Sequence, residues 1–428
     1  MGLPETPEQD TLIPADDSRP SVRKPGRIFF ICPLPQWEGE PRQFLAARTK
    51  IFLLIEILKN QGHEIVLINS GREMGDVSPM HLTTVELPRG GEVPAVIGPS
   101  RMRSSLGRLL TLFSHRCMLA LALERFGKPD IVWCYNAYAF EMLSMHYLSR
   151  HSAAAGVLEF EDHPLARMTG LKIKPILDWL CWQWTANRFS ICYAVNQRLA
   201  GLMTDRGVKT EPLPGLLADE NLRWFDDHPP SFEGTSNVVV AYSGGLDKLK
   251  GVDFLLELID VSIEKELPIE WHITGSGPLE SEVKKASERN PSQVAFHGVV
   301  PADRLQKLRS QAQVLLNPHK PNGDIFPFKV IDAVSTGRLV LSTPLQHGFE
   351  DLRWLDDAVC QLEIHAHLWI DAILRAEELY NAKSSRIMDA VNKASAMFSE
   401  KGFGARLHSE IASLVQAPSD VNLSPKMK

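Results

Sequence analysis

Short apolar runs alternate with helical stretches along most of this chain. In the first half, apolar runs predict strands at 27–31, 64–69, 94–97, 130–136, 156–161 and 190–195. Stretches with helical spacing lie between them, as at 51–58. Strands that alternate with helices are typical of a parallel sheet covered by helices on both faces. We therefore predict an α/β fold for this half.

A polar segment at 226–236, rich in aspartate and proline at its start, interrupts the alternation, which then begins again. Predicted strands follow at 237–243, 270–274, 294–297, 314–317, 339–342 and 359–363. The predicted helices of this half are at about 251–264, 278–288, 301–311, 326–336 and 366–382. Two doubly wound units joined by one linker enclose a cleft, and ligands of such sheets bind beyond the carboxyl ends of the strands.

The pattern predicts a domain at 26–225, a linker at 226–236 and a second domain at 237–390. Residues 1–25 are polar and rich in proline and acids, so we expect a disordered tail there. The same expectation applies to 417–428, whereas 391–416 has a helical pattern.

Composition and charge narrow the class of protein. The 428 residues include 46 basic and 52 acidic side chains, and the net charge of −6 argues against nucleic acid as a partner. The six cysteines form no Cys-x-x-Cys pair and no zinc-ligand spacing with histidine, so we predict no metal site. No uncharged apolar run reaches membrane-spanning length, and we expect a cytoplasmic protein.

Two glycine-containing loops follow predicted strands in the second half. Gly244 and Gly245 would let backbone N–H groups approach an anion, and Lys250 adds positive charge near the start of the next helix. Gly275 and Gly277 form a Gly-x-Gly turn after the next strand. An ordinary glycine-rich turn with a solvated lysine explains the first loop equally well. The residues alone leave both interpretations open.

The segment 324–332, with the sequence DIFPFKVID, is a third candidate. Asp324 precedes a predicted helix start, Lys329 lies in the first turn and Asp332 about two turns inside. The free N–H groups at a helix start can hold a phosphate, and carboxylates accept hydrogen bonds from sugar and ribose hydroxyls. An acid that only stabilises the helix, together with a solvated Asp332, would give the same spacing.

Taken in order, these motifs closely resemble the donor domain of retaining GT-B glycosyltransferases of family 4, the glycosyl transferases group 1 type. The matching stretches are Gly244, 250–253 (KGVD), 274–279 (TGSGPL), 296–298 (FHG), and 324–332 followed by Gly337. The family has two acids, usually glutamates, around seven intervening residues. The resemblance covers about 237–350 well and the first half only loosely.

The resemblance implies a GT-B architecture of two Rossmann-like domains and transfer of a sugar from a nucleoside diphosphate with retention, without a tightly bound metal or other cofactor. It implies that Asp324 contacts the donor sugar, that Asp332 contacts the ribose and that Phe326 lies in the same donor site. Lys250, helped by Lys329, would neutralise the diphosphate leaving group.

This chain departs from the family pattern in two ways. Both acids are aspartates, which reach less far than glutamates, and Gly245 stands where a basic residue is usual. One contact to the diphosphate is therefore missing or supplied from elsewhere.

The resemblance places the first domain on the acceptor side. Glu161, Asp162 and His163 follow a predicted strand where the family has a short polar turn, and there they would face the reacting sugar. His163, titratable near neutrality, could take the acceptor proton. Gly39 occupies the usual place for close backbone approach to the donor. A turn that caps the next helix, and plain loop chemistry at Gly39, are the alternatives.

Two amphipathic stretches bear on the acceptor. Residues 101–126 carry five arginines among leucines and could lie on an anionic membrane surface, as would suit a lipid-linked glycan. A core helix with an arginine-rich outer face is the alternative we favour. Trp179 and Trp182 are spaced for core packing, whereas Trp184 falls off that face and could be interfacial.

We therefore predict a hexosyltransferase-type enzyme with a nucleotide-sugar donor and a glycan or lipid-linked acceptor, in surface polysaccharide or lipopolysaccharide biosynthesis. It would be cytoplasmic, or peripheral on the inner face of the plasma membrane if 101–126 binds there. The helix at 391–416 would return to the first domain. The alternatives are a nucleotide-sugar epimerase and a non-catalytic relative that binds a glycan or a partner transferase.

Overall fold

The computed structural model describes residues 26–34, 45–71, 80–99, 105–166, 173–234, 236–320, 329–345 and 349–416, with backbone alone at 45–46, 105–113 and 416. Of the predicted site residues, Gly39, Asp324 and Phe326 lie outside this described part, as do the tails 1–25 and 417–428.

The first sheet has eight strands in the order β3-β4-β2-β1-β5-β6-β7-β8. Its strands are β1 (Arg27–Cys32), β2 (Glu64–Asn69), β3 (His81–Glu86), β4 (Glu92–Ile97), β5 (Ile131–Tyr135), β6 (Ala155–Phe160), β7 (Ile191–Ala194) and β8 (Lys209–Pro212). The helices of this unit are α1 (Leu45–Asn60), α2 (Ser105–Phe126), α3 (Ala139–His151), α4 (Ile173–Thr185), α5 (Gln197–Thr204) and α6 (Asp219–Asp227). The central strands β1 and β5 are almost wholly buried, which explains their continuous apolar runs.

The second sheet has six parallel strands in the order β11-β10-β9-β12-β13-β14. They are β9 (Val238–Ser243), β10 (Ile269–Thr274), β11 (Val294–Gly298), β12 (Val314–Asn317), β13 (Leu339–Ser342) and β14 (Cys360–Gln361). The accompanying helices are α7 (Val252–Glu264), α8 (Glu280–Arg289), α9 (Ala302–Gln311), α10 (Lys329–Val334), α11 (Trp354–Ala358) and α12 (Ala366–Leu374). Two doubly wound units confirm the predicted fold class. The strand order reverses between β9 and β12, which makes their carboxyl ends the expected ligand crevice.

Two strands of the first sheet were not predicted. Strand β3 pairs antiparallel with β4 at one edge, and its residues alternate between half-buried and exposed. Strand β8 forms the other edge. Edge strands are short and polar, so they lack the apolar runs on which the prediction depended. Gly90 and Gly91, both with positive φ, form the tight β3–β4 connection and were the available signal for a hairpin.

The last helices connect the two units. The predicted helix at 366–382 is divided at Arg375, where α13 (Ala376–Phe398) begins after α12. A second break at Ser399 separates α13 from α14 (Glu400–Gln416), so the division is not at residue 391. Helix α13 packs on the second unit through α10 and α11, whereas α14 packs on α1 of the first. No helix in the described segments is long and apolar enough to cross a membrane.

Candidate active site

The glycine loops that follow β9 and β10 lie against each other. A Cβ added to Gly275 would lie 1.8 Å from the carbonyl oxygen of Gly244, and one on Gly277 would lie 2.5 Å from that of Leu246. Gly275 also has a φ of 135°, so two independent reasons exclude a side chain there. These glycines bring two strand ends of the crevice into contact.

One expectation about this loop is corrected by the hydrogen bonds. The N–H of Gly244 donates to the carbonyl of Thr274 at 3.1 Å, and the N–H of Gly275 donates to that of Gly298 at 2.8 Å. These amides are therefore engaged inside the protein and are not presented to an anion. Gly245 lies exposed beside them, and its carbonyl accepts the Tyr242 hydroxyl at 2.8 Å.

Lys250 lies where the loop after β9 meets the segment after β12. Its backbone N–H donates to Asp247 Oδ1 at 2.9 Å, and its Nζ is 3.5 Å from His319 Nε2. The adjoining Gly251 has a φ of 73°, and a Cβ there would lie 1.8 Å from the carbonyl oxygen of Pro318. The loop is thus held against β12's carboxyl end, and Lys250 is directed to the point where the strand order reverses.

Lys329 begins α10 and extends its ammonium group into the same crevice. Its Nζ is buried without a hydrogen-bond partner among the described residues and lies 4.2 Å from the centroid of the Tyr242 ring. Burial, followed by the positive charges of Lys250 and Arg309, lowers the pKa of Lys329 to about 7. An unpaired ammonium in this position is suited to an incoming anion.

Arg309 is a buried residue of α9 that the sequence analysis missed. Its Nη1 lies 3.1 Å from Asp332 Oδ2, and its Nη2 donates to the hydroxyl of Ser243 at 2.9 Å. Asp332 is therefore neither a purely solvated acid nor a free ligand, because Arg309 orients it. The available signal was an arginine next to Leu308, on the buried face of α9.

His319 is a second missed residue of the crevice. Burial and then the charges of Lys250 and Lys329 lower its pKa to about 4, so the ring is neutral at physiological pH. A small cavity lies beside Lys329 and Arg309, and its other lining residues are Ala241, Ser243, Leu315, Leu316, Asn317 and Ala333. Three basic side chains, Lys250, Lys329 and Arg309, therefore converge on one strand-end crevice.

The turn after β6 carries Asp162 and His163. The N–H of Asp162 donates to Oδ1 of the buried Asn136 at 3.3 Å, and Asn136 itself adopts a left-handed φ of 67°. Nδ1 of His163 accepts the N–H of Leu165 at 3.2 Å, so the proton of the neutral ring is on Nε2. Burial and then Arg198 lower the pKa of His163.

These contacts change the role available to His163. We expected a group that titrates near neutrality and takes a proton from the acceptor. With Nδ1 accepting the N–H of Leu165, the neutral form of the ring presents Nε2 as a hydrogen-bond donor.

Glu161, which the sequence analysis expected to face the reacting sugar, belongs to a buried ion cluster with Lys50 and Glu159, two residues that were missed. Lys50 Nζ lies 2.8 Å from Glu159 Oε1 and 2.5 Å from Glu161 Oε1, and it donates to the carbonyl of Leu213 at 3.0 Å. Burial raises the pKa of Glu161 to about 7 although Lys50 opposes this, and the two acids together raise the pKa of Lys50. A lysine within an apolar helix and a glutamate within an apolar strand were the signals available.

The predicted residues therefore fall into two groups. Gly244, Gly245, Lys250, Gly275, Gly277, Lys329 and Asp332 gather at the carboxyl end of the second sheet. Asp162 and His163 lie together at the carboxyl end of the first sheet. Across the described ranges, no group of three or more histidine, cysteine or acidic side chains could hold a metal ion.

Most of the second unit matches the model of a known protein family. Residues 237–375 match the family Glycosyl transferases group 1. No curated protein sequence matches the chain significantly.

Solved structures match over both units. A sucrose-phosphate synthase from Thermosynechococcus elongatus is 13% identical with a TM-score of 0.67, and the match covers 91% of this chain and 99% of that one. A UDP-forming α,α-trehalose-phosphate synthase from Burkholderia xenovorans is 10% identical with a TM-score of 0.64, covering 92% and 100%. Anabaena HepE in complex with UDP is 13% identical with a TM-score of 0.60, covering 90% and 100%. At these identities the likeness establishes the fold.

Proposed function

Since the second domain is of the glycosyl transferases group 1 type and the whole chain has the GT-B fold, we propose that this protein transfers a sugar from a nucleoside diphosphate to an acceptor. The observation that carries the proposal is the buried, unpaired ammonium of Lys329 beside Lys250 and Arg309 at the strand-order reversal. A diphosphate would supply a negative partner for the unpaired amine of Lys329. The UDP-bound and UDP-forming structures of the same fold support a nucleotide donor.

Each basic residue has a separate role in this proposal. Lys250 and Lys329 stabilise the charge that develops on the diphosphate as the bond to the sugar breaks. Arg309 compensates for the absence of a basic residue at Gly245, because it brings positive charge into the crevice and orients Asp332 toward the ribose. Asp324 and Phe326 contact the donor sugar, as the family resemblance implies. No metal or cofactor is part of the proposal.

The first domain supplies the acceptor side of the reaction. His163 donates a hydrogen bond from Nε2 to a sugar hydroxyl, and Asp162, whose backbone Asn136 fixes, accepts one. We propose that transfer proceeds with retention and that the acceptor is a glycan or lipid-linked glycan of surface polysaccharide biosynthesis. The enzyme would work in the cytoplasm or at the inner face of the plasma membrane.

Turnover tests this proposal directly. The protein is incubated with UDP-, GDP- and ADP-sugars, and release of the nucleoside diphosphate is followed by chromatography, with product anomers assigned by NMR. We expect release from one donor class, loss of release in Asp324→Ala, and retained configuration in the product. An isomerised donor without nucleotide release would instead indicate an epimerase.

A non-catalytic binding role is the second candidate. The ion pair between Arg309 and Asp332, at 3.1 Å, occupies one of the two acids that the family uses. This role predicts donor binding without turnover and no difference between the wild type and Asp324→Ala.

A further inference from the structure

The outer face of α4 is an exposed apolar stripe. Ile173 is 80% exposed, Ile176 37%, Leu180 52% and Trp184 55%. They follow each other at intervals of three, four and four residues, which places all four on one side of the helix. We call these four residues the α4 stripe.

The α4 stripe is not the face through which α4 packs on the protein core. The opposite side of α4 is already buried, and Asp178, Cys181 and Trp182 lie there. Asp178 accepts the N–H of Ala139 at 2.9 Å and pairs with Lys174 at 2.5 Å, which fixes the rotation of the helix. A contiguous apolar strip on a solvent face usually marks an interaction site.

Positive charge surrounds one end of the stripe. The ring of His146 lies 3.9 Å from that of Trp184. Burial and then the charges of Arg188, Arg150 and Arg116 lower the pKa of His146 to about 4. No carboxylate of the described residues forms an ion pair with any of these arginines. We call Arg116, Arg150 and Arg188 the α4 arginine cluster.

We propose that the α4 stripe docks on the surface of an anionic membrane, with the α4 arginine cluster at the lipid headgroups. Aliphatic side chains and tryptophan insert at the bilayer interface, and basic residues bind anionic lipids at its surface. The charge also argues against a second copy of the chain as the occupant, because a symmetric contact through the stripe would bring two arginine clusters together.

The same helix connects this surface to the acceptor side of the cleft. Trp182, on the buried face of α4, lies 5.7 Å from the ring of His163. Docking through the stripe would therefore place the turn with Asp162 and His163 behind α4, about one helix diameter, roughly 10 Å, from the lipid surface. The inference depends on the proposed function at one point, where it takes the bilayer as the source of the acceptor.

Vesicle sedimentation of the full chain tests the inference. We expect the protein to sediment with vesicles of phosphatidylcholine and phosphatidylglycerol, and not with phosphatidylcholine alone. Leu180→Ser with Trp184→Ser removes two exposed apolar groups and should weaken binding by about tenfold or more. Arg150→Glu should weaken it as well, and added salt should do the same by screening.

The chain offers a matched control. Leu374 and Met388, 41% and 47% exposed, lie on α12 and α13 of the second unit. Leu374→Ser with Met388→Ser should leave sedimentation unchanged. Failure of the wild type to bind anionic vesicles, or an equal loss in both double variants, would overturn the inference. A wild-type protein that is a dimer, and that Leu180→Ser with Trp184→Ser converts to a monomer, would also overturn the inference. Donor-induced thermal shifts in the same samples report separately on the proposed function.

Discussion

Lys329 shows, at the scale of one residue, how a buried charged group opposes stability. Its ammonium is buried beside two other cations without a hydrogen-bond partner, so the folded protein bears the cost until an anion arrives. Folding lowers the pKa of Lys329 from 10.5 to about 7. The folded state therefore disfavours the charged form of this side chain relative to the unfolded chain. In the proposed function, binding of a nucleoside diphosphate would remove this penalty.

Replacing Lys329 by methionine should make the protein more stable and unable to bind a donor tightly. Between pH 7 and 10.5 the unfolded chain holds more protons at this position, so wild-type stability rises with pH across that window. The gain from Lys329→Met should therefore be largest below pH 7, on the order of a few kcal/mol, and vanish toward high pH. Thermal unfolding at several pH values measures it. A lower melting temperature for the variant below pH 7 would contradict this prediction.

Donor affinity should depend on the same proton. Because Lys329 in the free protein is half neutral near pH 7, binding a diphosphate above that pH requires proton uptake. Affinity should be highest below pH 7 and weaken by up to about tenfold per pH unit above it. Calorimetry in buffers of different ionisation enthalpy counts the proton. Lys329→Met should take up no proton when it binds a donor. A donor affinity of the wild type that does not change with pH would refute this prediction.

Among the candidate residues of the crevice, the sequence pointed to those in loops that follow strands and missed those that join distant parts of the chain. Lys250 and Gly275 were singled out because both lie in loops that follow apolar runs. Arg309 was not, because its partners Ser243 and Asp332 are 66 and 23 residues away and its helix looks like any polar surface helix. The tautomer of His163 depends on one backbone N–H, which no spacing encodes.

The loops after β9 and β10 act as one element. Gly275 and Gly277 of the second loop lie where the first loop passes, and the N–H groups of Gly244 and Gly275 donate to neighbouring carbonyls. This mutual support holds Lys250 in place without help from a ligand. Preorganised charge of this kind lowers the cost of binding.

Gly275→Ala should therefore disrupt the donor site, because its Cβ would lie 1.8 Å from the Gly244 oxygen. Gly234→Ala is the matched control, since Gly234 also has positive φ, 72°, but nothing lies within 4 Å of its added Cβ. The control should lose only about 1 kcal/mol from backbone strain, whereas Gly275→Ala should lose more and show no donor-induced thermal shift. Equal losses in urea denaturation, with donor binding intact, would show that the loop contact is unimportant.

At the scale of secondary-structure elements, the sequence predicted the buried strands but not the edge strands or the break between α12 and α13. Strands β1, β2 and β9 are internal to their sheets, so their apolar runs identify them. The edge strands β3 and β8 have no such run. The break at Arg375 was missed because the helical pattern of α12 continues into α13 without a glycine or proline.

At the scale of the whole molecule, the C-terminal helices connect the two units. Helix α14 contributes Phe403, Leu407 and Ile411 to the core of the first unit, while α13 packs on the second. Leu217, near the end of the first unit, donates its N–H to the carbonyl of Phe398 at 2.8 Å. The first unit therefore depends on residues far along the chain.

Phe403→Ala should destabilise the first unit although Phe403 lies beyond the second sheet. The ring is 1% exposed and lies 5.7 Å from that of Tyr193, and removing such a side chain typically costs about 3–5 kcal/mol. Met388→Ala, on the exposed side of α13, should change stability by less than about 0.5 kcal/mol. Urea denaturation followed by tryptophan fluorescence compares them. Equal midpoints would show that α14 contributes nothing to the first unit.

The central claim is that Lys250 and its neighbours bind a nucleoside diphosphate, and calorimetric titration with UDP-, GDP- and ADP-sugars tests it most directly. The control is Lys248→Ala, which removes an exposed lysine from the same loop. We predict that one donor class binds the wild type and Lys248→Ala equally, and that Lys250→Ala weakens it by about tenfold or more. Equal affinity of all three proteins, or no binding of any donor to the wild type, would contradict the account.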